Sequence, residues 1–215
     1  MAIDDGAMDV QQIWKGILAY YDERLDNYSD RLKPGANMEM ITEMEKSLDQ
    51  RLPDDLIKVY MMHNGDSTRA AGSILGMQFL SLEEMYETRH AFELLSESDK
   101  TEPRYQYGEE PGMIVEHSIN WLPFASDHSG YYIGVDMDSE TPGPVGQVIV
   151  YGQREGKPYV AARSFREFLE RMLGLLMELR LDLSLDEERD VAKIAWRNDQ
   201  HPVDALKAYM LSKNA

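Results

Sequence analysis

Between residues 119 and 162 the chain changes direction every few residues, and that spacing leaves little choice of sheet. Residues 119–125 read as a strand, Asp127-His128-Ser129-Gly130 as a hairpin turn and residues 131–137 as the returning strand. Pro142-Gly143-Pro144 turns the chain again, and residues 147–151 and 159–162 flank a further hairpin turn at Gln153-Arg154-Glu155-Gly156. A parallel pair needs a crossover of roughly a dozen residues or more. These connections are too short for one, so the sheet is predicted to be antiparallel.

Helices bracket this strand region. Residues 11–25 carry Ile13, Trp14, Ile17, Leu18, Tyr21 and Leu25 on one helical face. Lys33-Pro34-Gly35 ends the next connection, and Asn37 is placed to cap a second helix whose apolar face is Met38, Ile41, Met44 and Leu48. Pro53 suits the first position of a third helix, which Asn64-Gly65 stops after Leu56, Val59, Tyr60 and His63. Ile74-Leu75 and Gln78-Phe79-Leu80 are short extended candidates. Ser81-Leu82-Glu83-Glu84 is a capping box opening a helix to about Leu95. Ser164-Phe165-Arg166-Glu167 is a second one, and Phe165, Phe168, Leu169, Met172, Leu173 and Leu176 follow it at helical spacing. The tail, residues 181–215, is predicted to add two short helices split near His201-Pro202. The expectation is an α+β domain over residues 11–178, with a mainly antiparallel sheet flanked by helices, and a C-terminal helical extension over 179–215.

Composition removes several function classes. There is no cysteine among 215 residues, which excludes disulfides, thiolate metal sites and cysteine nucleophiles. The formal charge of −17 repels phosphate backbones, and the densest basic stretch, Arg163, Arg166 and Arg171, is interrupted by Glu167 and Glu170. A basic protein is the favoured partner, because an acidic surface speeds that encounter; nucleic acid and membrane are not expected partners. The acidic start lacks a basic-then-apolar signal pattern, so a cytoplasmic location is the expectation. The charge is uneven: residues 83–116 hold ten acids against three bases, with Pro103, Gly108, Pro111 and Gly112 marking an acidic surface loop after a helix.

The search for chemistry yields little. His63, near a helix C-terminus, is expected to serve the helix dipole as a cation. Asp127, His128 and Ser129 are triad residue types, but three consecutive turn residues point apart. Asp136 and Asp138 share a strand face and, with Asp127, would be the ligands of a metal-dependent hydrolase. Their Asp-x-Asp-x-Glu spacing lacks the glycine and distal glutamate of a calcium loop, and a solvated strand end is the plainer reading. Trp14 and Trp121 are expected in the core, and Trp196 is expected to dock the tail. No cofactor, metal or catalytic residue is assigned.

The order and spacing of several blocks nevertheless resemble a known family. They are Trp14; Leu32-Lys33-Pro34-Gly35-Ala36 with Ile41 and Glu45; Leu52-Pro53-Asp54-Asp55-Leu56 with Tyr60; His63-Asn64-Gly65; and Phe79-Leu80-Ser81-Leu82-Glu83-Glu84. Trp121-Leu122-Pro123-Phe124-Ala125 with Asp127 and Gly130, Gly134-Val135-Asp136-Met137-Asp138, Gly146-Gln147-Val148 and Ser164-Phe165-Arg166-Glu167-Phe168-Leu169 complete the set. This pattern resembles the SUKH superfamily, in its branch related to fungal Smi/Knr-type cell-wall regulators. The resemblance implies an α+β domain that binds other proteins without catalysing a reaction. Bacterial relatives are commonly immunity proteins that neutralise toxins, and fungal relatives act in cell-wall signalling. The expectation is an immunity protein that meets a basic toxin with an acidic, aromatic-bearing surface; the alternative is an intracellular regulatory scaffold. The candidate contact residues are Glu102, Tyr105, Tyr107, Glu109 and Glu110 in the acidic loop, and Asp127, Tyr131, Asp136 and Asp138 near the hairpin.

Overall fold

The computed structural model describes residues 8–98, 118–138, 143–152, 158–178, 181–196 and 201–213. Helix α1 (Val10–Asp22) opens on a capping box in which Asp9 accepts from the Gln12 N–H and the Gln12 side chain accepts from Asp9 N–H. A 3-10 turn at Ser29–Arg31 leads to α2 (Met38–Leu48), capped by Asn37 as predicted, and then to α3 (Asp54–Tyr60). Pro53 stands just outside α3, at its N-cap. The short strands β1 (Ala70–Ala71) and β2 (Gln78–Phe79) precede α4 (Leu82–Ser98). Strands β3 (Trp121–Ser126), β4 (Tyr132–Asp136), β5 (Gln147–Tyr151) and β6 (Tyr159–Ala162) follow, then α5 (Phe165–Glu178).

The main sheet has the order β2-β3-β4-β5-β6 and every pair in it is antiparallel, as the turn spacing required. Its strand β3 has a neighbour on each side yet contains Pro123, which cannot donate to a ladder. The register shifts between Pro123 and Ala125, a bulge that absorbs the missing N–H. On one face α5 and α1 pack over the sheet: Phe124 meets Phe165 and Phe168 at centroid distances of 5.1 and 5.4 Å, and Ile13, Trp14, Ile17 and Tyr21 are fully buried. The other face carries a separate aromatic cluster in which Trp121 packs on Tyr151 at 5.1 Å and Phe92 of α4 packs on Tyr132 at 5.0 Å. Trp14 and Trp121 are therefore both buried, on opposite sides of the sheet.

The tail departs from expectation. Residues predicted as a first short helix form a hairpin of β7 (Leu181–Asp186) and β8 (Val191–Trp196), and only the second part is helical, as α6 (Pro202–Lys213). The reason is period and partner. Leu181, Leu183 and Leu185 alternate with Asp182, Ser184 and Asp186, and β8 pairs on its other side in parallel with β1 to give the sheet order β1-β8-β7. That pairing joins residues about 120 apart and leaves no local mark. The acidic surface loop, the hairpin turn at 153–156 and the docking role of the Trp196 side chain lie outside the described residues.

One half-buried glycine yields a simple expectation. Gly16 sits inside α1, where a Cβ would meet a Leu173 methyl at an ordinary 3.6 Å. Gly16→Ala is therefore expected to stabilise the fold by about 0.5–1 kcal/mol, through reduced chain entropy in the unfolded state. Urea unfolding midpoints compare the two proteins.

Candidate functional site

A half-open groove of about 390 Å³ lies at the β2 edge of the main sheet. Its floor is the segment from Asp66 to Gly76, one wall is Lys33 with Glu84, and the other is Gln78 with the turn after β3. Each wall is placed by local structure. Residues 33–36 zip against the end of α3: Lys33 N–H donates to Gly65 O (3.1 Å), Ala36 N–H to Tyr60 O (2.8 Å), and Asn64 N–H to Pro34 O (3.2 Å). Glu84 stands in the first turn of α4 as the acidic half of the predicted capping box, accepting from Ser81 N–H at 2.7 Å. Burial alone would raise the Glu84 carboxyl, but the Ser81 N–H and hydroxyl and the Lys33 ammonium outweigh it and hold it low.

The groove side chains are bonded to one another. Lys33 Nζ lies 3.1 Å from one Glu84 oxygen, and Gln78 Nε2 donates to the other at 3.0 Å. That Gln78–Glu84 bond crosses the groove, and Gln78 Oε1 in turn bonds His128 Nε2 along its own wall. The result is a chain of four polar residues contributed by four segments, held in one arrangement before any partner arrives.

The floor is organised by Asp66, which is buried. One of its oxygens accepts from the N–H groups of Gly72 (3.0 Å), Phe79 (3.1 Å) and Ser73 (3.3 Å), and the other accepts from the Ser73 hydroxyl. Tyr28 OH joins Ser73 Oγ at 2.9 Å, and Tyr21 OH donates to Ser73 O at 3.2 Å. Burial pushes the Asp66 carboxyl up to about 7, against the lowering effect of its four donors.

The predicted site residues separate into two groups. Asp136 and Asp138 are buried and serve the β4–β5 connection: Asp136 accepts from Asp138 N–H (3.0 Å) and Gln147 Nε2 (2.9 Å), and Asp138 accepts from Ser118 Oγ (2.9 Å). Asp127 and Tyr131 lie at the opposite end of β4, about 16 Å of strand away. The three carboxylates of the expected hydrolase centre therefore do not meet, and that reading is corrected. Glu102, Tyr105, Tyr107, Glu109 and Glu110 lie outside the described residues.

Asp127 has a different use. Ser129 N–H and Tyr131 N–H donate to one oxygen (2.8 and 2.9 Å), and Ser129 Oγ and His201 Nε2 meet the other, the latter at 3.0 Å. Burial alone would raise this carboxyl, and these bonds outweigh it and hold it low. Serine, aspartate and histidine do converge here, but both other groups bond the aspartate. Nucleophilic catalysis needs the histidine between the other two. His201 Nδ1 accepts from Val203 N–H at 3.3 Å and its ring lies 4.3 Å from that of Tyr131, so the cluster ties α6 to the main sheet. Neither His201 nor Asp66 stood out in the sequence, because their partners are remote along the chain.

His63 is also corrected. Its Nδ1 accepts from Trp14 Nε1 at 3.1 Å, a role that needs a neutral ring, and burial lowers its pKa from 6.5 although Asp22 pulls the other way. A base depressed in the folded state supports the fold fully above 6.5 and ceases to as pH falls through the folded value. The thermal midpoint of His63→Gln, which keeps an acceptor and does not titrate, is expected to fall less than wild type between pH 7 and pH 5.

Residues 35–171 match the SMI1 / KNR4 family (SUKH-1), and the chain belongs to that family. It is 26% identical over 174 residues to the cell wall biosynthesis/cell cycle regulator smi1 of Schizosaccharomyces pombe, covering 74% of this chain and 34% of that protein. It is 25% identical over 196 residues to the glucan synthesis regulatory protein of Neurospora crassa (74% and 37% covered). It is 21% identical over 204 residues to the cell wall assembly regulator SMI1 of Saccharomyces cerevisiae (77% and 40% covered). The chain thus spans a third to two fifths of the length of these curated relatives. Among the described residues no helix is long and apolar enough to cross a membrane.

Proposed function

We propose that this chain is a non-enzymatic protein-binding module of regulatory type, acting as a scaffold in the manner the names of its relatives indicate for cell-wall regulation. On this reading residues 11–178 are the binding domain and 179–215 an extension packed on it. The observation that carries it is the match over residues 35–171 to a family whose named members are regulators. Those names point to regulation and not to toxin neutralisation, so the regulatory reading takes the place of the immunity expectation. The groove supports it physically. Lys33, Glu84, Gln78 and His128 are fixed in place by one another, which lowers the ordering cost of docking, and the charge of −17 favours a basic partner.

The test is affinity capture from the source organism with wild-type chain and with Lys33→Glu and His128→Ala, both on the groove wall. A specific partner is expected whose recovery falls at least tenfold with the variants, while their thermal midpoints stay within a few degrees of wild type. Equal recovery on all three proteins would remove the groove from the account.

A further inference from the structure

Strand β7 is the end strand of the order β1-β8-β7, and it pairs with β8 through six residues with no break in register. Among the described residues no strand pairs with its other side. Six residues make an edge about 20 Å long. By contrast β1 and β2 have two residues each, and the outer strand β6 has four, packed against α5 and α6. Proteins blunt long edges with proline, lysine, a bulge or a covering element; β7 reads Leu-Asp-Leu-Ser-Leu-Asp and has no proline, lysine or bulge. What it has is acid. Asp182 and Asp186 lie on one face with Ser184, and Glu187-Glu188 follow in the turn. On that face Lys193 stands across from Ser184, and Asp186 accepts from Arg189 N–H at 3.1 Å with the Arg189 guanidinium 4.0 Å away, so four acids face two bases. Leu181, Leu183 and Leu185 lie on the other face, Leu185 still 38% exposed.

We propose that the outer edge of β7 docks an extended basic segment of a partner protein, which adds to the small sheet as its fourth strand. Main-chain hydrogen bonds would hold the segment, its basic residues would lie beside Asp182 and Asp186, and its apolar residues beside Leu183 and Leu185. Two other occupants are disfavoured by charge. A second copy pairing antiparallel about a two-fold sets Asp182 near Asp186 of its mate. The chain's own residues 99–117 carry five acids and two bases. The hairpin is tied to the rest of the fold at its turn: the Asp190 carboxylate meets Arg31 and Arg69, each at 2.5 Å, and Ala192 N–H donates to Arg69 O at 2.9 Å. The inference rests on the protein-binding reading above but uses a different surface, one that lies outside the 35–171 family match.

Fluorescence anisotropy on the full chain tests it with three labelled eight-residue probes: alternating Lys-Val, alternating Glu-Val, and Lys-Val with every backbone nitrogen methylated, which leaves neither edge of the probe able to donate. The first is expected to bind at least tenfold more tightly than the other two. The double variant Asp182→Lys/Ser184→Lys, at two exposed positions away from the turn, is expected to lose at least tenfold, with a thermal midpoint lowered by a few degrees at most because Ser184 stands opposite Lys193. Equal binding of the methylated probe would reduce the effect to bulk charge, and absence of binding, or a wild-type dimer abolished by the double variant, would overturn the proposal. A groove-dependent partner that binds the double variant as well as wild type would end the edge proposal and leave the groove reading standing.

Discussion

Asp66→Ala is expected to lose at least about 4 kcal/mol of stability, enough to unfold a domain of ordinary margin. The substitution strands the N–H groups of Gly72, Ser73 and Phe79 and the Ser73 hydroxyl in a buried site, and each unsatisfied donor costs roughly 1–3 kcal/mol. Asp66→Asn separates shape from charge. Its oxygen can keep the three backbone bonds while its amide donates to Ser73 Oγ, which can then donate to Tyr28 OH. The wild-type carboxyl is raised from 3.8 to about 7 in the fold. An acid raised on folding supports the fold fully below its unfolded value and loses that support as pH rises through the folded one. A rise of that size corresponds to about 4 kcal/mol in all, lost between pH 3.8 and about 7, roughly 3 kcal/mol of it above pH 5. Between pH 5 and pH 8 wild type is therefore expected to lose stability relative to Asp66→Asn. Taking the difference cancels Glu84 and Asp127, which are held low and act in the opposite direction. Urea unfolding of the three proteins across that range reads both effects, and a wild-type–Asn difference that does not change with pH would show that Asp66 does not titrate there.

The second large effect is expected at Gly35. The residue is exposed, but a Cβ on it would stand 1.9 Å from the Met61 carbonyl oxygen and 2.5 Å from the carbon. Both are backbone atoms at the end of α3, so no side chain can move aside. Gly35→Ala must instead part the 33–36 segment from residues 60–65, weakening the bonds Ala36 N–H to Tyr60 O and Lys33 N–H to Gly65 O. The cost is expected at or beyond the top of the roughly 1–3 kcal/mol range for overpacking. It should also displace Lys33 from Glu84 and so weaken partner capture beyond what the lost stability explains. A Gly35→Ala protein with a wild-type unfolding midpoint would show that the segment does not pack this closely. The contrast with Gly16, where a Cβ has room, makes the pair a test of close backbone approach rather than of glycine as such.

Local signals were readable in the sequence and remote ones were not. The Ser164 cap is there, with Glu167 N–H donating to Ser164 Oγ at 3.1 Å, because capping chemistry involves residues three apart. The antiparallel main sheet followed from turn spacing for the same reason. The tail hairpin carries one local sign, the alternation of Leu181, Leu183 and Leu185 with polar residues, but its pairing with β1 has none, and a six-residue alternation alone does not set strand against helix. The site divides the same way. Lys33-Pro34-Gly35 and Ser81-Leu82-Glu83-Glu84 were visible as a turn and a cap, but that they face each other as one wall depends on packing. Gln78 and His128 are 50 residues apart, and Asp127 and His201 are 74 apart. Asp136 and Asp138 misled because strand alternation shows which residues share a face but not whether that face is covered.

Amide chemical-shift mapping of the labelled chain, titrated with the partner recovered by affinity capture, tests the central claim most directly. Perturbations are expected to concentrate at Lys33, Gln78, Glu84 and His128, with the core amides of α1 and α5 unmoved. A bound partner that leaves those four amides unperturbed would contradict the claim that the groove is where this protein meets its target.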